Sequence, residues 1–338
     1  MSKIKVNMIS ETEFTVKGHG VHTAYVEITE ALKNNPKVEV EVNGQGKYDI
    51  VHIQTMGLYA MKWLFKPNVK KVVSAHLVPD SFLGSIRWAE KWRWAAKLYL
   101  KWFYSRAHLV LACSGSVKKE LTEDMNLKNT DVLYNSINMS RYERTAEDRL
   151  KAREALEIPE NRPVILGNGQ LQPRKRFDLF FEMAKKRPDY LFIWVGGITF
   201  GQVLGADAKE MQSFVDQAPD NLLVTGIIPL EDVRQYYHAA DIFTLPAEQE
   251  NHPMCVLEAA GTGLPILLRD IWNYQDTFKG GAILAKEDAS FLMEIDQLAK
   301  DPAYRSKWAE KSSLIKDRFD SKNSASRLIG FYEQLLDP

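Results

Sequence analysis

The chain has 338 residues, 44 Lys plus Arg against 44 Asp plus Glu, and a formal net charge of zero. Its 45% hydrophobic and 26% charged residues exclude a disordered chain, a collagen-like repeat and a coiled coil, and its length suggests two domains. Zero net charge argues against nucleic acid as a partner, since that binding needs an electrostatic surplus.

At the start, the apolar run over 6–9 is too short for a signal segment. No stretch reaches about 18 uninterrupted apolar residues, so no transmembrane helix is expected. Cys113 and Cys255 lie far apart, give neither a disulfide framework nor a zinc spacing, and fit a reducing cytosol. Short β-branched runs predict strands over 4–9, 38–42, 48–53, 71–75 and 107–112, with helices over 22–33 and 116–125. Residues 17–20, Lys-Gly-His-Gly, follow the first strand and precede a helix. Glycine admits a close ligand and a helix start favours an anion, yet this is neither a GxGxxG nor a Walker loop.

Residues 87–106 read RWAEKWRWAAKLYLKWFYSR. They hold Trp88, Trp92, Trp94 and Trp102, half of the protein's eight tryptophans, and six basic residues against the single acid Glu90. At about 100° per residue, Trp88, Trp92, Ala95, Tyr99, Trp102 and Phe103 share one face. Arg93, Lys97 and Lys101 fall opposite, Arg87 and Lys91 lie toward one flank, and Trp94 sits among the basic residues. Such a helix suits an anionic lipid interface; an ordinary surface helix packing its aromatics on the core is the competing reading.

A charged helix is predicted over 142–156. The breakers Ile158-Pro159 and Arg162-Pro163 then place a domain boundary at 157–163. Split at residue 155, the first part holds 24 basic and 17 acidic residues, +7, and the rest holds 20 and 27, −7. The neutral total is a cancellation.

The second part predicts strands over 164–167, 190–195, 222–225, 241–245 and 265–268, with helices over 178–186, 230–239 and 253–261. This alternation implies two parallel-sheet α/β domains. After the first of these strands comes Gly167-Asn168-Gly169, then Arg174, Lys175 and Arg176 just before a helix. That order suits a diphosphate at the carboxyl end of a parallel sheet. Glu250 falls in a loop after the 241–245 strand, and Pro253 suits the first turn of the next helix. Glu258 lies about one and a half turns into that helix among small apolar residues. A carboxylate can accept two hydroxyl hydrogen bonds at once, as a vicinal diol offers.

Glu250 and Glu258, with seven residues between them and ADIFTLP over 240–246 before them, resemble the hallmark of retaining, nucleotide-sugar-dependent family 4 glycosyltransferases of GT-B fold. Gly18 and Gly20 resemble that family's N-terminal glycine loop. Residues 169–175 resemble its GRLxxxKG segment, with Gln170 where the family has arginine. Thr225–Pro229, Glu231 and Tyr237 resemble the segment bordering the nucleotide base. The short length, the opening KVNMIS and the basic aromatic helix are similar to the bacterial diglycosyl-diacylglycerol synthases.

The resemblance implies an α/β GT-B fold, two Rossmann-like parallel-sheet domains facing a central cleft. Residues 1–156 would form an acceptor and membrane-binding domain and 163–315 a nucleotide-sugar domain, with a helix in 316–338 returning to the first. It implies transfer of glucose or galactose, with retention, from UDP-glucose or UDP-galactose to a glycolipid acceptor such as monoglucosyl-diacylglycerol. No metal, cofactor or nucleic acid is expected. The place would be cytoplasmic, peripheral on an anionic membrane's inner face. Glu258 would hold the ribose, Glu250 the transferred sugar with Asn251, His252, Pro253 and Met254 beside it, and Lys175 the diphosphate. Arg174 or Arg176 would stand in for the arginine replaced by Gln170. Gly169 would border the donor, and His76 would lie near the acceptor and reacting carbon. Trp88, Lys91, Trp92, Arg93, Lys97, Tyr99, Lys101 and Trp102 would face membrane or acceptor. A soluble family 4 transferase acting on a polysaccharide or small metabolite, or a catalytically dead membrane-surface protein, are the alternatives.

Overall fold

The computed structural model describes residues 3–14, 20–82, 89–198 and 207–337. The chain divides into two compact units. The first comprises Met1–Ser81, Lys91–Asn138 and Phe319–Pro338; Met139–Arg318 makes up nearly all of the second.

The first unit carries a six-stranded sheet of β1 (Ile4–Ile9), β2 (Val38–Val42), β3 (Ile50–Ile53), β4 (Lys70–Ala75), β5 (Leu109–Ala112) and β6 (Thr130–Val132). The order is β2-β1-β3-β4-β5-β6, all parallel. Strand β1 is buried from Val6 to Ile9 because it is flanked on both edges and covered on both faces. Strand β2, at the edge, reads VEVEV and exposes both its glutamates. The helices Gly20–Lys33 and Ser321–Leu336 complete this core: Tyr25, Ile28 and Leu32 meet Leu328, Ile329 and Tyr332 over Val6, Met8 and Ile50. The C-terminal helix starts at Asp320, whose carboxylate accepts the Lys322 N–H at 2.9 Å. The helix predicted over 116–125 is shorter: an α-helix spans Gly115–Lys119 and a π-turn follows over Glu120–Asp124.

The second unit carries β7 (Val164–Asn168), β8 (Leu191–Val195), β9 (Leu222–Val224), β10 (Ile242–Leu245), β11 (Ile266–Arg269) and β12 (Ile283–Ala285) in the order β12-β11-β10-β7-β8-β9, again parallel. Strands run outward in both directions from the β7–β10 pair. Their carboxyl ends form the switch point where doubly wound sheets bind ligands. Phe180, Phe192 and Trp194 pack edge to face on one side of β7, with centroids 5.1–5.3 Å apart.

The division lies at Asn138–Met139, not at 157–163. The helix predicted over 142–156 runs over Ala146–Ala155 and belongs to the second unit. Arg153, buried to 2%, explains this: it donates to the carbonyls of Ala239, Pro159, Glu160 and Arg162 and to Asp241 Oδ2 at 2.6 Å. The proline-containing segment is therefore a loop wrapped around a buried guanidinium, not a linker. Counted by unit, the first carries 20 basic and 15 acidic residues, +5, and the second 24 and 29, −5. The asymmetry survives the corrected boundary.

Candidate functional site

The carboxyl end of β7 leads straight into the glycine segment. Gly169 N–H donates to Val195 O at 2.9 Å, and Gly169 O accepts the Trp194 indole N–H at 2.8 Å. Gly196, at φ +131°, lies so close that a Cβ there would sit 2.1 Å from Gly169 O. The next turn, Pro173–Lys175, swings Lys175 back over Gly169, where a Cβ would meet Lys175 Cε at 3.2 Å. A strand end, two crowded glycines and one 3₁₀ turn thus fix a buried lysine at the switch point.

Glu250 comes from the neighbouring strand, on the loop after β10. Its Oε1 pairs with Lys175 Nζ and with Arg174 Nη1, the latter at 3.0 Å. Burial alone would raise the Glu250 pKa, but the charges of Lys175 and Arg174 outweigh it and hold the carboxyl below its usual range. Arg174 is braced further: Nε donates to Gln172 Oε1 at 2.9 Å and Nη1 to Gln249 O at 2.8 Å. Gln172 in turn donates to Gln170 Oε1 at 2.7 Å.

Arg176 is placed differently. It adopts a left-handed conformation, φ +57°, and its guanidinium bonds Asp178, Glu248 and Asp288 at 2.6–3.1 Å. Of the two arginines read as substitutes for the family arginine, only Arg174 joins Lys175 and Glu250.

Beyond Glu250, Asn251 Oδ1 accepts from Gln249 at 3.4 Å. His252 is buried and stacks on Phe278, ring centroids 5.3 Å apart. Burial, helped by the Arg318 charge, lowers its imidazole pKa to about 3. Pro253 is the N-cap of the helix Met254–Thr262 rather than a residue inside its first turn, and Met254 opens that helix, buried. One face of the helix closes on Tyr142, where a Cβ on Gly261 would come within 2.9 Å of Tyr142 Cβ.

Glu258 sits on the same helix, 3% exposed. A buried carboxylate needs donors, and the fold supplies them. Tyr237 Oη lies 2.7 Å from Oε2, Asn168 Nδ2 is 3.3 Å from the same oxygen, and Tyr142 Oη is 3.3 Å from Oε1. Asn168 also donates to Tyr237 Oη at 2.9 Å. Tyr237 is fully buried; burial first, then the Glu258 charge, raises its pKa well above the ordinary value. Tyr237, read from sequence as part of a segment bordering the base, bonds the Glu258 carboxylate. Tyr142 and Asn168 had no such role in the sequence reading. Asn168, between two glycines at a strand end, carried a local signal; Tyr142 carried none.

The remaining candidates belong to the first unit. Gly18 and Trp88 lie outside the described residues. Gly20 opens the helix Gly20–Lys33 after β1. His76 follows β4, half-buried, with Nε2 3.0 Å from Gln54 Oε1. The basic aromatic segment forms the helix Ala89–Tyr104. Its buried face differs from the aromatic face read from sequence, because Ala96, Leu100, Phe103 and Tyr104 fill the core. Trp92 and Trp102 flank that face, half-buried. Trp102 stacks with Tyr99 at 6.0 Å and lies 4.2 Å from the Arg106 guanidinium. Trp94 and Leu98 stand 68% and 59% exposed, with Lys91, Tyr99 and Lys101 also exposed. Arg93 pairs with Asp80 at 2.6 Å, and Lys97 is half-buried. Among the described residues no helix is long and apolar enough to cross a membrane.

Comparison with known proteins matches residues 20–141 to the family Glycosyltransferase Family 4 and residues 148–314 to Glycosyl transferases group 1. The chain is 27% identical to the alpha-galactosylglucosyldiacylglycerol synthase of Streptococcus pneumoniae, over 98% of its own length and 90% of that enzyme's. It is 26% identical to the processive diacylglycerol alpha-glucosyltransferase of Acholeplasma laidlawii, over 81% of each. Among solved structures, Anabaena HepE in complex with UDP and glucose superposes with a TM-score of 0.78 at 18% identity, covering 99% of this chain and 100% of HepE. WaaG, a glycosyltransferase of lipopolysaccharide biosynthesis, does so at 0.68 and 16%, covering 96% and 98%.

Proposed function

Since the chain belongs to the family 4 glycosyltransferases of GT-B fold, we propose that it transfers a hexose, glucose or galactose, from a UDP-sugar to a membrane glycolipid with retention of the α configuration. The glycolipid acceptor is supported by the two relatives named for diacylglycerol substrates. The donor class is supported by the fold shared with UDP-bound HepE. The observation that carries the reading is the cluster at the β7–β10 switch point: two cations paired with Glu250 on the loop after β10, and Glu258 braced on the helix that follows that loop.

In this reading Glu258 accepts the ribose hydroxyls, in the orientation that Tyr237, Asn168 and Tyr142 impose. Lys175 and Arg174 meet the diphosphate. As the bond from the sugar's anomeric carbon to the phosphate oxygen breaks, negative charge grows on the leaving diphosphate, and the two cations stabilise it without reorganising. The acceptor hydroxyl forms the new bond on the same face, and its proton passes to the departing phosphate oxygen. No metal or other cofactor takes part in this reading. His76 faces the acceptor, and the exposed stripe Lys91–Trp94–Leu98–Lys101 rests on the anionic inner face of the membrane.

The test is radiolabelled transfer from UDP-glucose and UDP-galactose to diacylglycerol and monoglucosyl-diacylglycerol in anionic micelles, with and without chelator. Lipid product from one donor, unaffected by chelator, is expected; absence of product in all four combinations removes the glycolipid reading. For the site, Glu258→Gln is expected to cost about 10- to 100-fold in kcat/KM, since a charged partner of the ribose is lost. Full activity of that variant contradicts the ribose role.

A further inference from the structure

The two cations at the switch point already have an anion. Lys175 and Arg174 both converge on the same oxygen of Glu250, and among the described residues neither pairs with any other carboxylate. All three side chains are largely withdrawn from water, 9%, 17% and 10% exposed. The cations are braced from their own turn: Lys175 lies over Gly169, and Arg174 donates to Gln172, besides bonding Gln249 of the loop that carries Glu250. Glu250 sits instead on a loop.

The charge count makes this a competition. Arg176 brings no surplus, since three carboxylates surround it, and Gln170 and Gln172 are neutral. Two cations therefore face both Glu250 and any diphosphate that enters. A buried carboxylate stripped of its cations is strongly disfavoured unless other donors replace them. A hydroxyl of the transferred sugar is such a donor; a nucleoside diphosphate without that sugar has its ribose hydroxyls engaged at Glu258 and brings none to Glu250.

We propose that Glu250 is a built-in counter-ion that competes with the diphosphate for Lys175 and Arg174. It yields them when a sugar hydroxyl takes their place and reclaims them once the sugar has been transferred, which drives out the nucleoside diphosphate. The inference rests on the donor-site reading above. It gives one carboxylate two linked tasks, holding the sugar and expelling the product.

The experiment is titration calorimetry of the full chain, without acceptor, against UDP, UDP-glucose and UDP-galactose. For the unaltered protein, the cognate UDP-sugar is expected to bind about tenfold more tightly than UDP. In Glu250→Gln, UDP is expected to bind about three- to tenfold more tightly than in the unaltered protein, although transfer falls. Glu250→Ala serves as a second charge-removing variant, and circular dichroism melting reports whether each is folded. UDP affinity unchanged or weakened in a folded variant overturns the proposal. If neither variant folds, the unaltered protein decides: UDP bound as tightly as the cognate UDP-sugar overturns it equally. Failure of the unaltered protein to bind any of the three nucleotides removes the donor-site reading itself, and the inference with it.

Discussion

His52 Nδ1 and the Tyr332 hydroxyl lie 2.6 Å apart although 280 positions separate the two residues. The contact ties the C-terminal helix to the end of β3, and Ser74 Oγ takes the other ring nitrogen at 2.9 Å. His52 is fully buried; desolvation first, then the charge of His76, depresses its pKa from 6.5 to about 3. Between those values the unfolded chain binds a proton that the folded chain does not. Stability therefore rises with pH across that window and is lost as pH falls through it, by on the order of a few kcal/mol from this group. Urea unfolding at pH 7.5 and pH 5 should show the loss, and His52→Gln should flatten its slope. His252, similarly depressed, supplies the part that remains. Tyr332→Phe leaves a buried imidazole nitrogen without its partner and should cost about 1–3 kcal/mol at pH 7.5. A pH slope unchanged in His52→Gln would count against this assignment.

Gly196 and Gly263 separate two kinds of glycine. Both have positive φ, +131° and +77°. A Cβ on Gly263 meets nothing within 4 Å, whereas one on Gly196 would overlap the Gly169 carbonyl. Gly263→Ala should therefore cost only the left-handed backbone penalty, about 1–2 kcal/mol, and leave nucleotide binding alone. Gly196→Ala must displace Gly169, over which Lys175 lies. It should cost more than about 2 kcal/mol and weaken UDP binding at least tenfold. Thermal unfolding paired with nucleotide titration checks both, and equal effects from the two substitutions would contradict the distinction.

What could be read from the chain follows from how local each feature is. Strands β1, β7 and β10 are short apolar runs buried on both faces, so composition alone marks them. Lys175, Glu250 and Glu258 could be named because each stands in a short, characteristic string. The misplaced boundary has the opposite character. Arg153 looked like one charge in a polar helix; contacts 86 and 88 positions away, with the carbonyls of the loop just after that helix, make it a buried hub. Tyr142 meets Glu258 across 116 positions. The aromatic helix is a mixed case. Periodicity places Trp94 away from the aromatic face, and it is exposed. Which face the core takes depends on distant elements, so Ala96, Leu100 and Tyr104 join Phe103 in the core while Trp92 and Trp102 stay half-buried.

Arg174 and Arg176, two residues apart, should respond differently to substitution. Arg174 shares Glu250 with Lys175, so Arg174→Ala should weaken UDP binding about tenfold or more. Arg176→Gly removes ion pairs to carboxylates that are 38–55% exposed, each worth at most about 1 kcal/mol. It also relieves a left-handed arginine by about 1 kcal/mol. The relief offsets part of the loss, so stability should fall by no more than about 2 kcal/mol and UDP affinity should not change. Calorimetric titration of the two variants, with melting curves, checks the pair. A larger loss of UDP affinity in Arg176→Gly would show that the wrong arginine was assigned to the diphosphate.

Trp94 and Leu98 offer the most direct test of membrane contact, because the core does not need them. Both project from the helix Ala89–Tyr104 beside Lys91 and Lys101. Burying each exposed apolar side chain in a lipid interface is worth about 1.5–3 kcal/mol, and each lysine near an anionic leaflet adds about 1 kcal/mol. Trp94→Ser with Leu98→Ser should therefore reduce cosedimentation with anionic vesicles by at least about tenfold, while stability changes by less than about 1 kcal/mol. Lys91→Gln with Lys101→Gln should weaken binding at low salt and much less at high salt, where charges are screened. Phe103→Ala, on the buried face, should instead destabilise the first unit by about 3–5 kcal/mol. If the serine pair binds vesicles as the unaltered protein does, the exposed stripe is an ordinary solvated face. The lipid acceptor must then be met elsewhere on the chain.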